Sequence, residues 1–253
     1  MTGPNTPPEC PPGWRTGPPD FVGVGAARSG TTWWTDLISR HPDVKRAPGL
    51  PKEVHFFDAY WSGEFDDSDI ERYHRFFPRP EGARTGEWTP GYMLDYWTPP
   101  LLRRAAPEAR LLVLLRDPVE RFRSGVSRAE TRLTLGRRGV PSPNHAFQRG
   151  LYADQLCRLW AVFPRERTLV LQYERCVADP GGQLGRTFAF LGVDPGRAPS
   201  IDFARRVNPA RGPKLRLRRD QVARLVHCYA AENARLAELV PEIDLGLWTG
   251  REA

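Results

Sequence analysis

The sequence predicts an α/β fold: a single domain with one central parallel β-sheet flanked by helices. Three observations carry this. The run RLLVLLRDP (110–118) is continuously apolar and then breaks at a turn, as a strand buried on both faces does. Two shorter runs, DFVGV (20–24) and TLVLQY (168–173), have the same character. Helical patterns lie between and after them, and strands that alternate with helices belong to a parallel sheet. A length of 253 residues suits one such domain with a substantial core.

Taken in order, residues 1–19 contain seven prolines and little periodicity, so an irregular arm is expected there and the folded domain over 20–253. After the first strand, a turn from Gly25 to Gly30 leads into a helix expected over Thr31 to Arg40. Trp34, Leu37 and Ile38 share one face of it, and HPDV stops it. Pro118 opens the helix after the central strand, at the position where a missing N–H costs nothing. Residues 134–148, TLGRRGVPSPNHAFQ, read as a loop. QLGRTFAFLGV (183–193) predicts a short helix ending near Gly192, and residues 219–240 a long amphipathic one. There is no internal repeat.

The net charge of +7 is spread along the chain without a Lys/Arg block, so nucleic acid is not an expected partner. Arginine outnumbers lysine 34 to 3, and with abundant Ala, Gly and Pro this fits a GC-rich bacterial genome. The longest apolar run, LLVLL at 111–115, is far below the ~20 residues of a membrane helix. The N-terminus has no apolar signal core, so a cytoplasmic protein is expected. Cys10, Cys157, Cys176 and Cys228 are far apart, which suggests reduced thiols rather than a zinc site or a disulfide framework.

The chemistry concentrates first in VGVGAARSGTTWW (22–34). Gly25 and Gly30 enclose four residues, and Thr31 and Thr32 follow. This is the spacing of a GxxxxGK[ST] phosphate loop, with Thr31 where the lysine stands. That lysine serves the β- and γ-phosphates, so its replacement speaks against a nucleotide triphosphatase. Arg28 is the cation here, inside the turn. Backbone N–H groups of Ser29 to Thr32 and the helix dipole still favour an anion. Each charge-assisted hydrogen bond to such an anion contributes about 1.5–3 kcal/mol.

RSGTTWW (28–34) resembles the 5′-phosphosulfate loop of the sulfotransferases that use 3′-phosphoadenosine-5′-phosphosulfate (PAPS). The cytosolic branch of that family reads P-K-S-G-T-T-W, and Arg28 replaces its lysine, as in other bacterial members. Arginine offers a rigid fork and keeps its proton. LLVLLRDPVERFRSGVSR (111–128) is similar to the family's 3′-phosphate motif, a strand, R-D-P and a serine eight residues after the arginine; Arg116 and Ser124 have that spacing. An arginine at a strand's carboxyl end also lies where open α/β sheets bind ligands. The resemblance implies that Trp33 stacks on adenine and that Tyr173 borders it, core packing being the alternative for each. It implies that Arg211, Gly212 and Lys214, in NPARGPKLR (208–216), close over the 3′-phosphate.

PKEVHFFD (51–58) resembles the K-E-x-H-F-F segment of heparan sulfate-type and many bacterial sulfotransferases, whose glutamate is the proposed base. Glu53 takes that position, with His55 as the rival; Lys52, one of only three lysines, suggests a role at the site, with chance as the alternative. GEWTPGYML (86–94) resembles the E-K-T-P-x-Y segment, whose lysine helps bind the sulfuryl group; Trp88 stands there instead. Glu87 is then expected to contact the acceptor or to act as a second acid/base. Trp88 and Tyr92, with Trp61 and Trp97, are candidates to offer aromatic faces to it, with core packing as the alternative for each.

The resemblance thus implies a P-loop NTPase-like sulfotransferase fold. It implies transfer of the sulfuryl group from PAPS, by in-line attack with a glutamate base, to a hydroxyl of a small-molecule natural product or a glycan. The product is PAP, no metal is required, and Arg28 with the loop stabilises the developing charge. A P-loop small-molecule kinase and a non-catalytic nucleotide-binding relative are the alternatives. Thr31 and the Arg116–Ser124 pair speak against the first, an intact Glu53 against the second. The oligomeric state is left open.

Overall fold

The computed structural model describes residues 6–134, 142–203 and 215–248. Four parallel strands form its sheet, β1 (Phe21–Gly25), β2 (Gly86–Trp88), β3 (Arg110–Leu115) and β4 (Thr168–Gln172), in the order β2-β1-β3-β4. The register pairs Phe21 with Gly86 on one side and with Arg110 on the other, and Leu111 with Thr168. The chain moves outward from β1 to β2 and then returns to lay β3 on the opposite side. The carboxyl ends of β1 and β3 therefore flank the switch point, where such sheets leave a crevice for ligands.

Both faces of the sheet are covered, which is why its strands read as unbroken apolar runs. Leu111, Val113 and Leu115 point into one core layer with Val22, Val24 and Val170. Leu112 and Leu114 point into the other with Phe21, Leu169 and Leu171. The first layer is closed by a 3₁₀ segment (Phe56–Trp61) and by α2 (Asp67–His74), α3 (Thr98–Ala105) and α6 (Tyr152–Trp160). The second is closed by α1 (Thr31–Ile38) and α8 (Pro180–Leu191). The remaining helices are α4 (Pro118–Thr134), α5 (Pro143–Gln148), α7 (Tyr173–Ala178) and α9 (Arg219–Leu239).

The local signals explain the ends of these elements. Asp117 caps α4 by accepting from Val119 N at 2.8 Å, with Pro118 in the first turn. Gly192 ends α8 in the left-handed region at φ 71°. Helix α1 stops at Ile38, two residues before the expected end: Ser39 N still reaches Thr35 O, but Arg40 N and His41 N bond Leu37 O and Ile38 O, three residues back instead of four. The 134–148 loop reading is corrected in part. Residues 135–141 lie outside the described residues, but Pro143–Gln148 is helical. Ser142 caps that turn by accepting from His145 N at 3.3 Å, with Pro143 following. In the described part of the N-terminal arm, Arg15 forms an isolated antiparallel bridge with Arg79. No helix among the described residues is long and apolar enough to cross a membrane.

Candidate active site

Strand β1 delivers the Gly25–Gly30 turn to the switch point. Arg28 and Gly30 both adopt positive φ, 73° and 88°. The latter explains one glycine: a Cβ at Gly30 would lie 2.7 Å from the Tyr173 ring, besides the strained backbone. Gly30 is also the N-cap of α1 and makes no side-chain capping bond, and the first turn has no acidic residue. The leading N–H groups of α1 thus face the crevice with the positive end of the helix dipole.

Strand β3 delivers Arg116 to the same crevice. Its guanidinium lies over the Tyr173 ring, 5.1 Å from the centroid, and 3.3 Å from Glu120 Oε2. Ser124 follows two turns into α4, and its Oγ accepts from Arg28 Nε at 3.1 Å. Trp33 is half-buried and meets Tyr173 edge-on at 6.2 Å. The structure therefore gathers Arg28, Ser29, Gly30, Thr31, Thr32, Trp33, Arg116, Ser124 and Tyr173 around one turn. Arg211, Gly212 and Lys214 lie outside the described residues.

The segment after α1 adds a third cation. Lys52 Nζ donates to Thr31 Oγ1 at 2.9 Å and to Glu53 Oε1 at 3.0 Å. Burial pulls the Lys52 ammonium down, and the Glu53 carboxylate works against that. On the far side of Glu53, His55 bridges two carboxylates. Its Nε2 is 3.2 Å from Glu53 Oε2 and its Nδ1 is 2.8 Å from Asp58 Oδ2. The Asp58 hydrogen bond, then that of Glu53, pushes His55 up to about 10. Burial would raise Glu53, but the His55 hydrogen bond and the Lys52 charge outweigh it and hold its carboxyl down to about 2. At neutral pH the centre of the array is therefore a Glu53 carboxylate against a His55 imidazolium.

What holds this array outward is Glu87. Its side chain lies in the core, 1% exposed. Oε2 accepts from Val54 N at 3.0 Å and from the Thr89 hydroxyl; Oε1 accepts from Tyr73 OH at 3.0 Å and from Tyr92 OH at 3.2 Å. Burial pushes the carboxyl up, and those four donors work against it. With Val54 N tied inward, Glu53 and His55 on either side of it project the other way. Tyr92 also accepts from Phe56 N at 2.9 Å, which fixes the start of the 3₁₀ segment.

Three acceptor-side expectations are corrected by this burial. Glu87 has both oxygens engaged inside the protein and presents none to a bound molecule. Trp88 is fully buried, its ring lying on Gly23 and its Nε1 donating to Gly25 O at 3.0 Å. Tyr92 is buried beneath the 3₁₀ segment. Of the other two tryptophans, Trp97 donates to Phe57 O at 3.0 Å, and only Trp61, 67% exposed, stands in solvent.

Of the array, Asp58 is outside the set that the sequence singles out for the site. It had a signal. The three-residue spacing of His55 and Asp58 brings both to one side of a 3₁₀ turn.

Residues 18–207 match the family model of the sulfotransferase domain. The chain belongs to the sulfotransferase domain family. It is 30% identical over 205 residues to heparan sulfate glucosamine 3-O-sulfotransferase 6 of Mus musculus, covering 76% of this chain and 57% of that protein. It is 31% identical over 188 residues to the 3B1 enzyme of Homo sapiens, covering 69% of this chain and 46% of that protein. The sulfotransferase domain thus spans about half the length of these curated relatives. A sulfotransferase from Alicyclobacillus acidocaldarius superposes with a TM-score of 0.66 at 26% identity, covering 90% of this chain and 98% of that one. The sulfotransferase domain from the curacin biosynthetic pathway shares the fold at 14% identity, with a TM-score of 0.52 and 71% of this chain and 75% of that one covered. Within the sulfotransferase domain the matched region includes the loop, the Arg116 turn and the Glu53 array, and it ends just before the Arg211 segment.

Proposed function

We propose that the chain transfers a sulfuryl group from PAPS to a hydroxyl acceptor, with Glu53 taking the acceptor's proton. The observation that carries this reading is the convergence of Arg28, Lys52 and the open N-terminus of α1 on one turn, with Glu53 bonded to Lys52 beside it.

The residues present fit the donor. The Gly25–Gly30 turn, leading into a helix start with no side-chain cap and no acidic residue in its first turn, is a backbone cradle suited to the 5′-phosphosulfate. Arg116 and Ser124 suit the 3′-phosphate, and Trp33 and Tyr173 offer ring surface for the adenine. When bound, PAPS supplies the sulfuryl group. Arg28, Lys52 and the α1 N–H groups offset negative charge that grows on the phosphate side, each positioned donor contributing as oxyanion-hole donors do. Lys52 joins this charge-stabilising end directly to the proton-accepting end.

Between the two candidate bases, the electrostatics favour Glu53. His55 lies between two carboxylates and holds its proton to about pH 10, so at neutral pH it has no free site for another. Glu53 is ionised, and its low proton affinity is a property of the array at rest. An anion that draws Lys52 toward the loop weakens the Lys52–Glu53 bond and strengthens Glu53 as a base. For the acceptor, the 3-O-sulfotransferase relatives support a glycan hydroxyl, and the exposed Trp61 next to the array suits a sugar face.

Calorimetric titration with PAP, with ATP–Mg²⁺ as the control, tests this reading. Tight PAP binding without metal is expected. Binding of ATP–Mg²⁺ alone would replace the reading with a P-loop kinase.

A further inference from the structure

Arg116 and Asp117 share a peptide group that two side chains hold from opposite ends. The Tyr152 hydroxyl donates to its carbonyl at 2.8 Å, and its N–H donates to Glu174 Oε1 at 3.0 Å. Both holders meet Trp248. The Trp248 indole N–H donates to Glu174 Oε2 at 3.1 Å, and its ring lies edge-on to Tyr152 at 6.3 Å. Trp248 is itself buried, 4% exposed.

The C-terminal segment is fixed in this place. Gln172, the last residue of β4, donates to Asp244 O at 2.8 Å and accepts from Asp244 N at 3.0 Å. The Asp244 carboxylate then accepts from Gly246 N at 2.8 Å and starts the short 3₁₀ turn Leu245–Leu247 that delivers Trp248. Residues more than 120 positions beyond the Arg116 turn in the sequence thus close its underside.

The orientation of one peptide plane sets the torsion on each side of it. Turning the Arg116–Asp117 plane redirects the Arg116 side chain. It also moves Asp117, whose carboxylate caps the helix that carries Ser124. Both groups assigned to the 3′-phosphate therefore depend directly on the same plane, whereas the Gly25–Gly30 turn meets it only through side chains, Arg116 Nη1 on Arg28 O at 3.5 Å and Ser124 Oγ on Arg28 Nε at 3.1 Å.

We propose that Trp248 and Glu174 are positioning residues for recognition of the donor's 3′-phosphate, acting through the Arg116–Asp117 peptide group. This rests on the donor reading given above. Neither residue touches the donor. Their loss acts first on the 3′-phosphate contacts and reaches the loop only indirectly, through the bonds of Arg116 and Ser124 to Arg28.

The test compares the full-length wild type with Trp248→Phe, which keeps a ring against Tyr152 but loses the N–H, and with Glu174→Gln, which cannot accept on both atoms. Each is titrated with PAP and with adenosine 5′-monophosphate, which lacks the 3′-phosphate. Melting temperature and the exchange rate of the Asp117 amide are measured alongside. In each variant PAP binding is expected to weaken about tenfold, the scale of one lost hydrogen bond, with the monophosphate weakened less and the Asp117 amide exchanging faster. A PAP-to-monophosphate ratio equal to wild type in both variants overturns the inference, even if their melting temperatures fall. A wild type that binds both ligands equally overturns the donor reading itself, and the inference with it.

Discussion

Arg28 Nε donates to Ser124 Oγ at 3.1 Å, across 96 positions of the chain. One residue belongs to the turn after β1 and the other to the helix after β3, so the bond crosses the switch point of the sheet. In the proposed donor site Arg28 serves the 5′-phosphosulfate side and Ser124 the 3′-phosphate of one nucleotide, and this bond makes their contributions to its binding interdependent. A double-mutant cycle of Arg28→Ala and Ser124→Ala, read by calorimetry with PAP, is expected to show a coupling of about 0.5–3 kcal/mol. Additive losses would mean that the Arg28–Ser124 bond contributes nothing once PAP is bound.

Glu53→Gln preserves shape and removes the proton acceptor. Turnover is expected to fall about 10²–10⁴-fold, the range of a lost general base, with PAP affinity near wild type. Steady-state rates with a hydroxyl acceptor and a PAP titration measure the two quantities. Near-normal turnover would remove Glu53 from that role.

Lys52→Met keeps most of the buried stem and deletes the bonds to Thr31 and Glu53. A charge-stabilising role predicts a fall in kcat of about 10²-fold or more. The Glu53 carboxyl should also rise, because the Lys52 charge helps to hold it down. A change confined to KM would make Lys52 a ground-state binding residue instead.

The array has a pH window set by its two shifted groups. His55 is raised from 6.5 to about 10, so what its charged form contributes is complete below 6.5 and is lost as pH rises through about 10. Glu53 is lowered from 4.5 to about 2, so its contribution is present above 4.5 and is lost as pH falls through about 2. Asp58 gives the largest upward push on His55. Asp58→Asn should therefore move the alkaline limb of kcat/KM to lower pH and leave the acid limb nearly in place. Superimposable profiles would show that His55 charge is not coupled to turnover.

Gly23 tests the packing beneath the site. A Cβ there would lie 2.0 Å from the Trp88 ring, in the middle of β1. Gly23→Ala is expected to destabilise the fold by about 1–3 kcal/mol, as overpacked cores do. In a domain of this size the melting temperature falls by about 2–4 °C per kcal/mol. Adding Trp88→Leu should recover part of the loss. An unchanged melting temperature for Gly23→Ala alone would mean that Trp88 yields more easily than its burial implies.

By itself, the sequence determined the elements whose signal is local. The three long strands were legible because burial on both faces leaves an unbroken apolar run. The Gly25–Gly30 turn and the Arg116 turn were legible because a backbone anion site needs glycines, a helix start and a cation within a few residues. Strand β2 was not legible: three residues, Gly86–Trp88, are too few to show a period. Only the tertiary structure decided which groups of GEWTPGYML face inward, since Glu87, Trp88 and Tyr92 look the same in sequence whether they meet a substrate or the core. It alone decided that Lys52 reaches Thr31, 21 positions away, and that Trp248 supports a turn at Arg116. The physical reason is common to these cases. A hydrogen bond between distant segments is specified by how the layers pack, and packing leaves no periodic trace at either end of the bond.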